Sequence, residues 1–556
     1  ILDDVSFRVL PITPGDARNM IGEIEGKPLL KGYRGQAPVS EDLLVDLLMK
    51  ANQMGLDLAD RLDSVDLNPI VVWGDQHRVL DAKVLLHPEP RPDQTLEANT
   101  SNLDAFFRAR AVALVGASST PGKVGNAVLD SLSQHDYSGN VYPVNPTRDE
   151  IMGLRAYPSL AATPDDVELV VAVVDLSHIP ALIEEAATKG VYSLVVVSGG
   201  GKELGGERQV LESRIRECAA EHGVRIVGPN CIGVYDAHSR QDTFFQVHER
   251  MVRPPAGKVA MITQSGTVGA AFIESATYGL SKLVSYGNRV DVDEADLLAY
   301  LAEDSDTSVI ACYVEGLERG RKLLETARWV TRQKAVVIFK AGRSQRGARA
   351  SMSHTGFFGG SYKVSRGAFR QAGLIDVDSL EELEAAAQAL ALQPEARGPR
   401  LAMISNGAGT MVQAMDLMDA YGLVMHALET ETVERLKAVY PGYYIVQNPV
   451  DVTGSATSRD YRLGIEALIE DPNVDVVMPW FVFQDTPLDE GIVEALADLS
   501  GTKPILCGAR GGPYTAKMGR ELEAVGVPLV YGVRPWLAAA RAVSYRATQS
   551  LSLIHI

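Results

Sequence analysis

The sequence predicts an α/β protein in which several doubly wound domains follow one another along the chain. At 556 residues, the chain is too long for a single hydrophobic core. From about residue 102 onward, short apolar runs alternate with stretches of helical spacing, as in parallel sheets covered by helices. The composition, 46% hydrophobic and only 6% aromatic, is typical of that class.

Linkers rich in proline and polar residues divide the chain. They begin at His87, Arg253 and Gln393, and they interrupt periodic secondary structure. The expected units are residues 1–88, 102–250, 257–394 and 400–546, with a tail at 547–556. We interpret the apolar end of that tail, after an Ala/Arg-rich helix has ended, as non-native, and a natural docking tail is the alternative.

The 102–250 unit is predicted to be Rossmann-like. Its five short apolar runs suit strands that are buried on both faces of a parallel sheet. These runs are Ala111–Val115, Asn140–Val144, Leu169–Val174, Ser193–Val197 and Arg225–Val227. Helical spacing lies between them, for example at 179–189 and 209–220.

The next two units repeat each other. Lys258–Gly269 parallels Arg400–Thr410, and each segment leads into a helix that ends at a Tyr-Gly-Leu sequence. Farther along, Gly287–Asp291 parallels Gln447–Asp451. We therefore predict two copies of one flavodoxin-like unit.

Charge and cysteine content narrow the possible functions. The net charge of −18 argues against nucleic-acid binding, which needs a basic face. No apolar run reaches the roughly 18 residues of a membrane span, so no membrane partner is expected. The four cysteines lack metal-site spacing and are too few for a disulfide framework, which favours a reducing, cytoplasmic location.

The turn Gly116–Gly125 is predicted to bind a phosphorylated nucleotide. Glycines let the backbone approach a phosphate, the next helix start offers free N–H groups, and Lys123 adds a cation. A nicotinamide enzyme would carry an acidic residue after the second strand, where this sequence has Asn145. CoA is therefore the favoured ligand, and a purely structural glycine turn is the alternative.

Two further strand-to-helix turns, one in each repeated unit, are candidates for binding phosphate. Two helix starts aimed at one anion would stabilise a transferring phosphoryl group. The candidate residues are Gln264, Ser265, Gly266, Gly407, Ala408 and Gly409.

His354 is the candidate phosphate carrier. Four cations, Lys340, Arg343, Arg346 and Arg349, lead into the Ser/Gly-rich segment that contains it. A neutral imidazole is a good nucleophile toward phosphorus, and its N-phosphate is a high-energy leaving group. Glu315, after the apolar strand Val309–Val314, is the candidate carboxylate that would orient the ring. An ordinary surface histidine and a solvated loop carboxylate are the alternatives.

These motifs resemble the NDP-forming acyl-CoA synthetases, which include the ADP-forming acetate–CoA ligases and are relatives of succinyl-CoA synthetase. The resemblance spans about residues 5–545. The segments that carry it are Ser353–Gly356, Gly228–Gly233, Gln264–Gly266 and Tyr313–Gly316. It implies that 102–250 is a CoA-binding domain and that 257–394 and 400–546 are succinyl-CoA synthetase domains.

The resemblance also implies residue roles. His354 would be the phosphohistidine and Glu315 its carboxylate partner. The CoA-binding positions would be Gly116, Ala117, Ser118, Lys123, Asn145 and Asn230. The turn Asn406–Gly409 resembles the phosphate-binding helix start of the partner subunit in succinyl-CoA synthetase.

Residues 1–88 resemble the C-terminal part of an ATP-grasp domain. Val65–Trp73 and Val79–Leu86 are predicted to form a hairpin about Gly74-Asp75. By the resemblance, Asn68 and Asp81 are metal ligands whose oxygens suit Mg²⁺. A plain hairpin is the alternative. Because most of the ATP-grasp lobe is absent from the sequence, nucleotide turnover is not expected of this chain alone.

The activity implied is acid + CoA + ATP ⇌ acyl-CoA + ADP + phosphate, by way of an acyl phosphate and a phosphohistidine. Its ligands would be CoA, ATP or ADP, Mg²⁺, phosphate, and acetate or another small carboxylic acid. A homo-oligomer is compatible with this activity. Two alternatives remain: a catalytically silent CoA-binding regulatory or scaffold module, and a nicotinamide oxidoreductase.

Overall fold

The computed structural model describes residues 4–32, 37–90, 97–344, 346–347, 349, 361–499 and 501–553, with side chains up to residue 547. In these ranges, every helix is too short or too polar to span a bilayer. The architecture is α/β, with three parallel sheets that follow a small N-terminal unit. This confirms the predicted fold class.

The N-terminal unit consists of three helices and four strands. The helices are α1 Pro14–Glu23, α2 Lys27–Leu30 and α3 Glu41–Asp57, and the strands are β1 Leu62–Leu67, β2 Ile70–Trp73, β3 Gln76–Val79 and β4 Ala82–Leu86. Thr13 begins α1 in a capping box with Asp16, and Ser40 caps α3. A small core between α1 and α3 includes Ala17 and Val45.

The predicted hairpin is present, but each of its strands is interrupted. β2 pairs with β3 about Gly74-Asp75, whereas β1 pairs with β4. The first break falls at Asn68-Pro69, because proline has no N–H to donate to the ladder. Asp81 lies opposite, between β3 and β4.

The second unit is a five-stranded parallel sheet with helices on both faces. Its strands are β5 Ala111–Val115, β6 Asn140–Val144, β9 Leu169–Ala172, β10 Ser193–Val196 and β11 Arg225–Val227, and the pair β7 Glu150–Ile151 and β8 Leu154–Arg155 lies outside the sheet. Its helices are α4 Ala105–Arg108, α5 Val124–Ser133, α6 Ile179–Lys189 and α7 Glu207–His222. All five predicted strands are found. The order β6-β5-β9-β10-β11 is the flavodoxin-like variant of the doubly wound fold.

The third unit repeats this order and gains one antiparallel edge strand. Its strands are β12 Gly233–Asp236, β13 Ala256–Thr263, β14 Leu280–Ser285, β15 Val309–Val314, β16 Ala335–Lys340 and β17 Ile375–Asp376. Its helices are α8 Gly266–Ser275, α9 Glu294–Glu303, α10 Gly320–Gln333, α11 Tyr362–Gln371 and α12 Leu380–Leu392. β12 pairs antiparallel with β14, so this strand, which the sequence assigns to the 102–250 unit, joins the neighbouring sheet.

The fourth unit is a second copy of the third. Its strands are β18 Arg400–Ser405, β19 Val424–Met425, β20 Val450–Asp451, β21 Val476–Phe481, β22 Cys507–Ala509 and β23 Leu529–Tyr531. Its helices are α13 Ala408–Met418, α14 Thr430–Val439, α15 Ser458–Glu470, α16 Gly491–Ala497, α17 Pro513–Ala524 and α18 Val533–Leu553. The order β19-β18-β21-β22-β23 matches β14-β13-β15-β16-β17. The predicted duplication is therefore confirmed.

The second strand of the fourth unit is split. β19 pairs with the start of β18 and β20 with its end, and α14 lies in the insertion between them. The N–H groups of Tyr286 and Val452 take equivalent positions, because each donates at 3.0 Å to the last carbonyl of the first strand. The pairing of Gly287–Asp291 with Gln447–Asp451 predicted from the sequence is therefore wrong in register.

Extensive contacts join the units. α18, from the fourth unit, packs along α12 of the third, and Gln388 of α12 donates a hydrogen bond to Glu523 of α17. α18 continues to Leu553, so the expectation that this helix ends before the apolar tail is wrong. The stretch 547–553 contains no glycine or proline that would end it.

Candidate functional site

The glycine loop after β5 lets the backbone of two elements approach closely. Gly116 has φ +94°, and a Cβ there would lie 2.9 Å from Val173 Cγ2. A Cβ on Gly125 would lie 2.1 Å from the Gly116 carbonyl oxygen, so α5 begins directly against the end of β5. Glycine is therefore required at both positions. The loop lies at the switch point between β5 and β9, where doubly wound folds bind ligands.

Asn145 shapes this loop from the neighbouring strand. Its Nδ2 donates to the Ala117 carbonyl at 2.9 Å, and its Oδ1 accepts from the Thr147 N–H at 2.9 Å. A ribose-binding carboxylate could not make the first of these bonds. Ser118 Oγ accepts from a loop N–H at 3.1 Å, and Lys123 is exposed at the start of α5. The structure thus brings together five of the six residues predicted to bind CoA.

Asn230 is the exception. It follows β11, which two other strands separate from β5. Its N–H donates to the Ser198 carbonyl at 2.9 Å, and its Nδ2 donates to Asn288 Oδ1 at 3.3 Å. Asn230 therefore lies between a loop of the second unit and a loop of the third, away from the glycine loop. Its role in binding CoA stays a prediction.

The first candidate phosphate corner joins β13 to α8. Thr263 Oγ1 accepts from the Ser265 N–H at 3.1 Å, and Ser265 Oγ caps α8 by accepting from the Val268 N–H at 3.4 Å. A Cβ on Gly266 would lie 2.5 Å from Ile232 Cγ2, so this helix start is pressed against the segment that enters from the second unit. The first-turn N–H groups have no intrahelical partner and face the C-terminal edge of the sheet.

Gln264 fixes the backbone around Glu315. Its Oε1 accepts from the N–H groups of Glu315 and of Gly316, the second at 3.0 Å, and its Nε2 donates to the Gly316 carbonyl at 3.3 Å. Arg289 Nη1 donates to the same carbonyl at 3.0 Å. One amide side chain therefore ties the corner after β13 to the residue after β15.

The Glu315 side chain is only 6% exposed. Tyr313 donates its hydroxyl to Glu315 Oε1 at 3.3 Å, and Lys340 Nζ donates to the Glu315 carbonyl at 2.7 Å. Burial lowers the pKa of Lys340 to about 8, although the negative charge of Glu315 opposes that shift. The carboxylate thus lies in a buried, cation-containing environment at the sheet edge, which is not that of a solvated loop residue.

The second corner has the same construction. Ser405 Oγ accepts from the Gly407 N–H at 2.9 Å, as Thr263 does in the first corner. Asn406 repeats the Gln264 clamp, because its Oδ1 accepts from the Val482 N–H at 2.9 Å and its Nδ2 donates to the Val482 carbonyl at 3.1 Å. Gly407 provides no side-chain cap for α13, and Ala408 and Gly409 are exposed. The N–H groups of this helix start are therefore open to a ligand.

The two copies differ at the positions that carry charge in the first. Tyr313 and Trp480 are equivalent, since they pair with Thr263 and Ser405. Glu315 then corresponds to Val482. Strand register likewise matches Lys340 with Ala509. Both copies keep the strand-to-helix corner, but the buried Glu315 carboxylate and Lys340 ammonium are present only in the first, a difference that the sequence comparison alone did not reveal.

His354 lies outside the described residues, but both flanks of its segment are anchored. Arg343 forms an ion pair with Asp376 at 3.4 Å, and its guanidinium lies 4.4 Å from the centre of the Tyr362 ring. Tyr362 donates its hydroxyl to the other Asp376 oxygen at 2.8 Å. Arg343, before the His354 segment, and Tyr362, after it, therefore meet at Asp376 beside the end of β16.

The two predicted metal ligands face each other across the N-terminal hairpin. The Asn68 N–H donates to the Asp81 carbonyl at 3.2 Å, and both residues are exposed. Their side-chain oxygens are hard donors of the kind that Mg²⁺ prefers. The described residues contain no cluster of three or more His, Cys, Asp or Glu that could hold a metal. A cation here would therefore need Asn68 and further oxygen ligands from water or substrate.

Family models match three segments of the chain. Residues 1–86 match an ATP-grasp domain, residues 110–237 a CoA binding domain, and residues 256–390 a succinyl-CoA ligase like flavodoxin domain. The glycine loop lies inside the second match, and the first corner and Glu315 lie inside the third.

The chain is 37% identical over 456 residues to the acetate–CoA ligase [ADP-forming] II subunit alpha of Pyrococcus furiosus, covering 80% of this chain and 98% of that protein. It belongs to the ADP-forming acyl-CoA synthetase family. The chain is also 34% identical to the acetate–CoA ligase [ADP-forming] II of Archaeoglobus fulgidus. That similarity covers 86% of this chain and 71% of that protein.

A solved member of this synthetase family has the same fold. It is the dinucleotide forming acetyl-coenzyme A synthetase 1 of Ca. Korarchaeum cryptofilum, in complex with phosphate and ADP. The two share 32% identity with a TM-score of 0.74, covering 82% of this chain and 98% of that one.

Proposed function

We propose that this chain carries out the CoA-dependent and phosphohistidine-dependent chemistry of an ADP-forming acyl-CoA synthetase. The observation that carries the proposal is the pair of similarly built strand-to-helix corners, one of which adds the buried Glu315. Such a pair fits a phosphoryl group that must be neutralised from two sides while it changes partners. The glycine loop after β5 would hold CoA, through Gly116, Ala117, Ser118, Lys123 and Asn145.

In the first step, a phosphate oxygen attacks the thioester carbonyl of acyl-CoA. The new C–O bond forms as the C–S bond breaks, and the CoA thiolate leaves and takes up the proton that the attacking hydrogenphosphate gives up. The products are an acyl phosphate and CoA. The chain contributes by orienting the pantetheine arm from the glycine loop and by stabilising the attacking phosphate at the helix starts.

In the second step, an imidazole nitrogen of His354 attacks the phosphorus of the acyl phosphate. The P–N bond forms, the P–O bond breaks, and the carboxylic acid leaves as its anion. Gly266, Ala408 and Gly409 would donate backbone N–H groups to the phosphoryl oxygens. Gln264, Ser265 and Gly407 would hold the two turns. Glu315 would orient the ring by accepting a hydrogen bond from the ring N–H group that does not attack.

The nucleotide step belongs to the N-terminal unit. Asn68 and Asp81 would hold Mg²⁺, which neutralises nucleotide phosphates when bound. Acetate is the acid in the names of the two relatives described above. We infer that this chain also uses acetate or another small carboxylic acid as its substrate. All four cysteines are free, which supports a reducing, cytoplasmic location. A homo-oligomer is compatible with this function.

The test uses acetyl-CoA and radiolabelled phosphate, so that nucleotide is not required. The wild type should acquire a label that is lost in acid and retained in base, as expected of phosphohistidine. His354→Ala should abolish it, and Glu315→Gln should lower the labelling rate by about 10- to 100-fold. His426→Ala, an exposed histidine in the insertion of the fourth unit, is the matched control and should label normally.

Equal labelling of wild type and His354→Ala would refute the proposal. CoA binding by calorimetry, without any label in the wild type, would instead support a CoA-binding scaffold. An NADH fluorescence titration with a saturable response would favour the oxidoreductase alternative, which the Asn145–Ala117 hydrogen bond opposes.

A further inference from the structure

We propose that Lys340 is a positioning residue for Glu315 in phosphoryl transfer, an inference that rests on the proposed function. Lys340 ends β16, next to β15, and its side chain is among the largest that are fully buried. Its ammonium donates to the carbonyls of Glu315 and Ala341, each at 2.7 Å. It therefore joins the residue that carries the carboxylate to the first residue of the segment that leads to His354.

Burying an ammonium group between two backbone carbonyls has an unfavourable desolvation free energy. Desolvation disfavours its charge, and two carbonyl dipoles compensate only in part. Among the described ion pairs, none involves Lys340, so a salt bridge does not explain why it is retained there. Ala509 occupies the equivalent position in the fourth unit, which folds with the same strand order. The fold of the sheet therefore does not require a lysine at this position. We infer that Lys340 instead serves to hold Glu315 in place and in its charged form.

The titratable groups around Lys340 lie on β15 or just after β15 and β16. Glu315, after β15, attracts the ammonium, and Arg343, after β16, repels it. Tyr313, in β15, donates its hydroxyl to Glu315 Oε1. Because burial lowers the pKa of Lys340 to about 8, the ammonium is largely charged at neutral pH and loses its proton in mildly alkaline solution. Loss of that proton would weaken both the carbonyl bridge and the attraction for Glu315.

The same strand offers a matched control. Lys334 lies immediately before β16, and its Nζ also donates to two backbone carbonyls, those of Leu301 at 2.6 Å and Asp304 at 2.5 Å. Burial lowers the pKa of Lys334 as well. Lys334 lies at the opposite edge of the sheet from Glu315, so the two lysines share their chemistry and differ in location.

The experiment compares Lys340→Gln, Lys334→Gln, Glu315→Gln and the Lys340→Gln/Glu315→Gln double variant in the labelling assay with acetyl-CoA and phosphate. Lys340→Gln should lower the labelling rate about 10- to 100-fold with an unchanged KM for acetyl-CoA. In the Glu315→Gln background it should have little further effect, because Lys340 acts through that carboxylate. Lys334→Gln should label at the wild-type rate.

The pH profile gives a second readout, and its wild-type part does not depend on the folding of any variant. The wild-type labelling rate should fall above about pH 8 as Lys340 loses its proton, and this alkaline limb should be absent from Lys340→Gln. A wild-type rate that is flat to pH 10, additive losses in the double variant, or an equal loss in Lys334→Gln would each overturn the inference. Failure of the wild type to label would instead refute the proposed function itself.

Discussion

Gln264 offers the sharpest test of how the first phosphate corner is held together. Gln264→Leu keeps the approximate volume of the side chain but leaves the buried N–H groups of Glu315 and Gly316 without their acceptor. The Gly316 carbonyl still accepts from Arg289, so it is not orphaned. Each buried N–H without a partner costs about 1–3 kcal/mol, and the expected loss is therefore about 2–6 kcal/mol for the third unit.

The assay is urea-dependent hydrogen exchange read by mass spectrometry on peptides that cover β15 and residues 315–316. Gln264→Leu should lower the protection of these amides and shift their unfolding to lower urea, while peptides of the N-terminal unit keep wild-type exchange. Gln264→Glu separates the two roles of the side chain, because a carboxylate oxygen still accepts from both N–H groups but cannot donate to the Gly316 carbonyl. A change in unfolding free energy below about 1 kcal/mol in Gln264→Leu would show that the Gln264 hydrogen bonds do not stabilise the third unit as proposed.

Two further variants test the glycine loop and a buried carboxyl group. Gly125→Ala should weaken CoA binding and destabilise the second unit by about 1–3 kcal/mol, because its Cβ would meet the Gly116 carbonyl oxygen. Gly190→Ala, at a helix end with φ +81° and open space around it, should cost about 1 kcal/mol and leave CoA affinity unchanged in calorimetry. Burial raises the pKa of Glu384 from 4.5 to about 7, so the folded state holds this proton more tightly and stability should fall as pH rises between those values. Glu384→Gln should remove that loss, raising stability at pH 8 by about 3 kcal/mol or less, and thermal unfolding at pH 5 and pH 8 checks the sign. An equal gain at both pH values would contradict this account.

Much of the fold was predictable from sequence because strand and helix periods repeat cleanly. The short apolar runs of the second unit match the observed strands closely, and the similarity of Lys258–Gly269 to Arg400–Thr410 identified the duplication. The register of the second strand was not predictable. An insertion carrying α14 splits this strand in the second copy, and backbone pairing rather than local sequence decides which residues are equivalent.

The candidate site was predictable where it depends on glycine. Gly116 and Gly125 lie where side chains have no room, and loop sequences signal that directly. The roles of Gln264 and Lys340 depend on long-range hydrogen bonds across three strands, which no local pattern reports. The surroundings of Asn230 were not predictable in the same way, because this residue contacts Ser198 and Asn288 rather than the glycine loop.

The contact between Gly266 and Ile232 brings the second and third units together at one point. A Cβ on Gly266 would lie 2.5 Å from Ile232 Cγ2, so the helix start of the third unit packs directly against the segment arriving from the second. The proposed sites for the thioester and for phosphate would then lie on two units that are in direct contact. We therefore expect any large movement during catalysis to occur in parts of the chain away from the contact between Gly266 and Ile232.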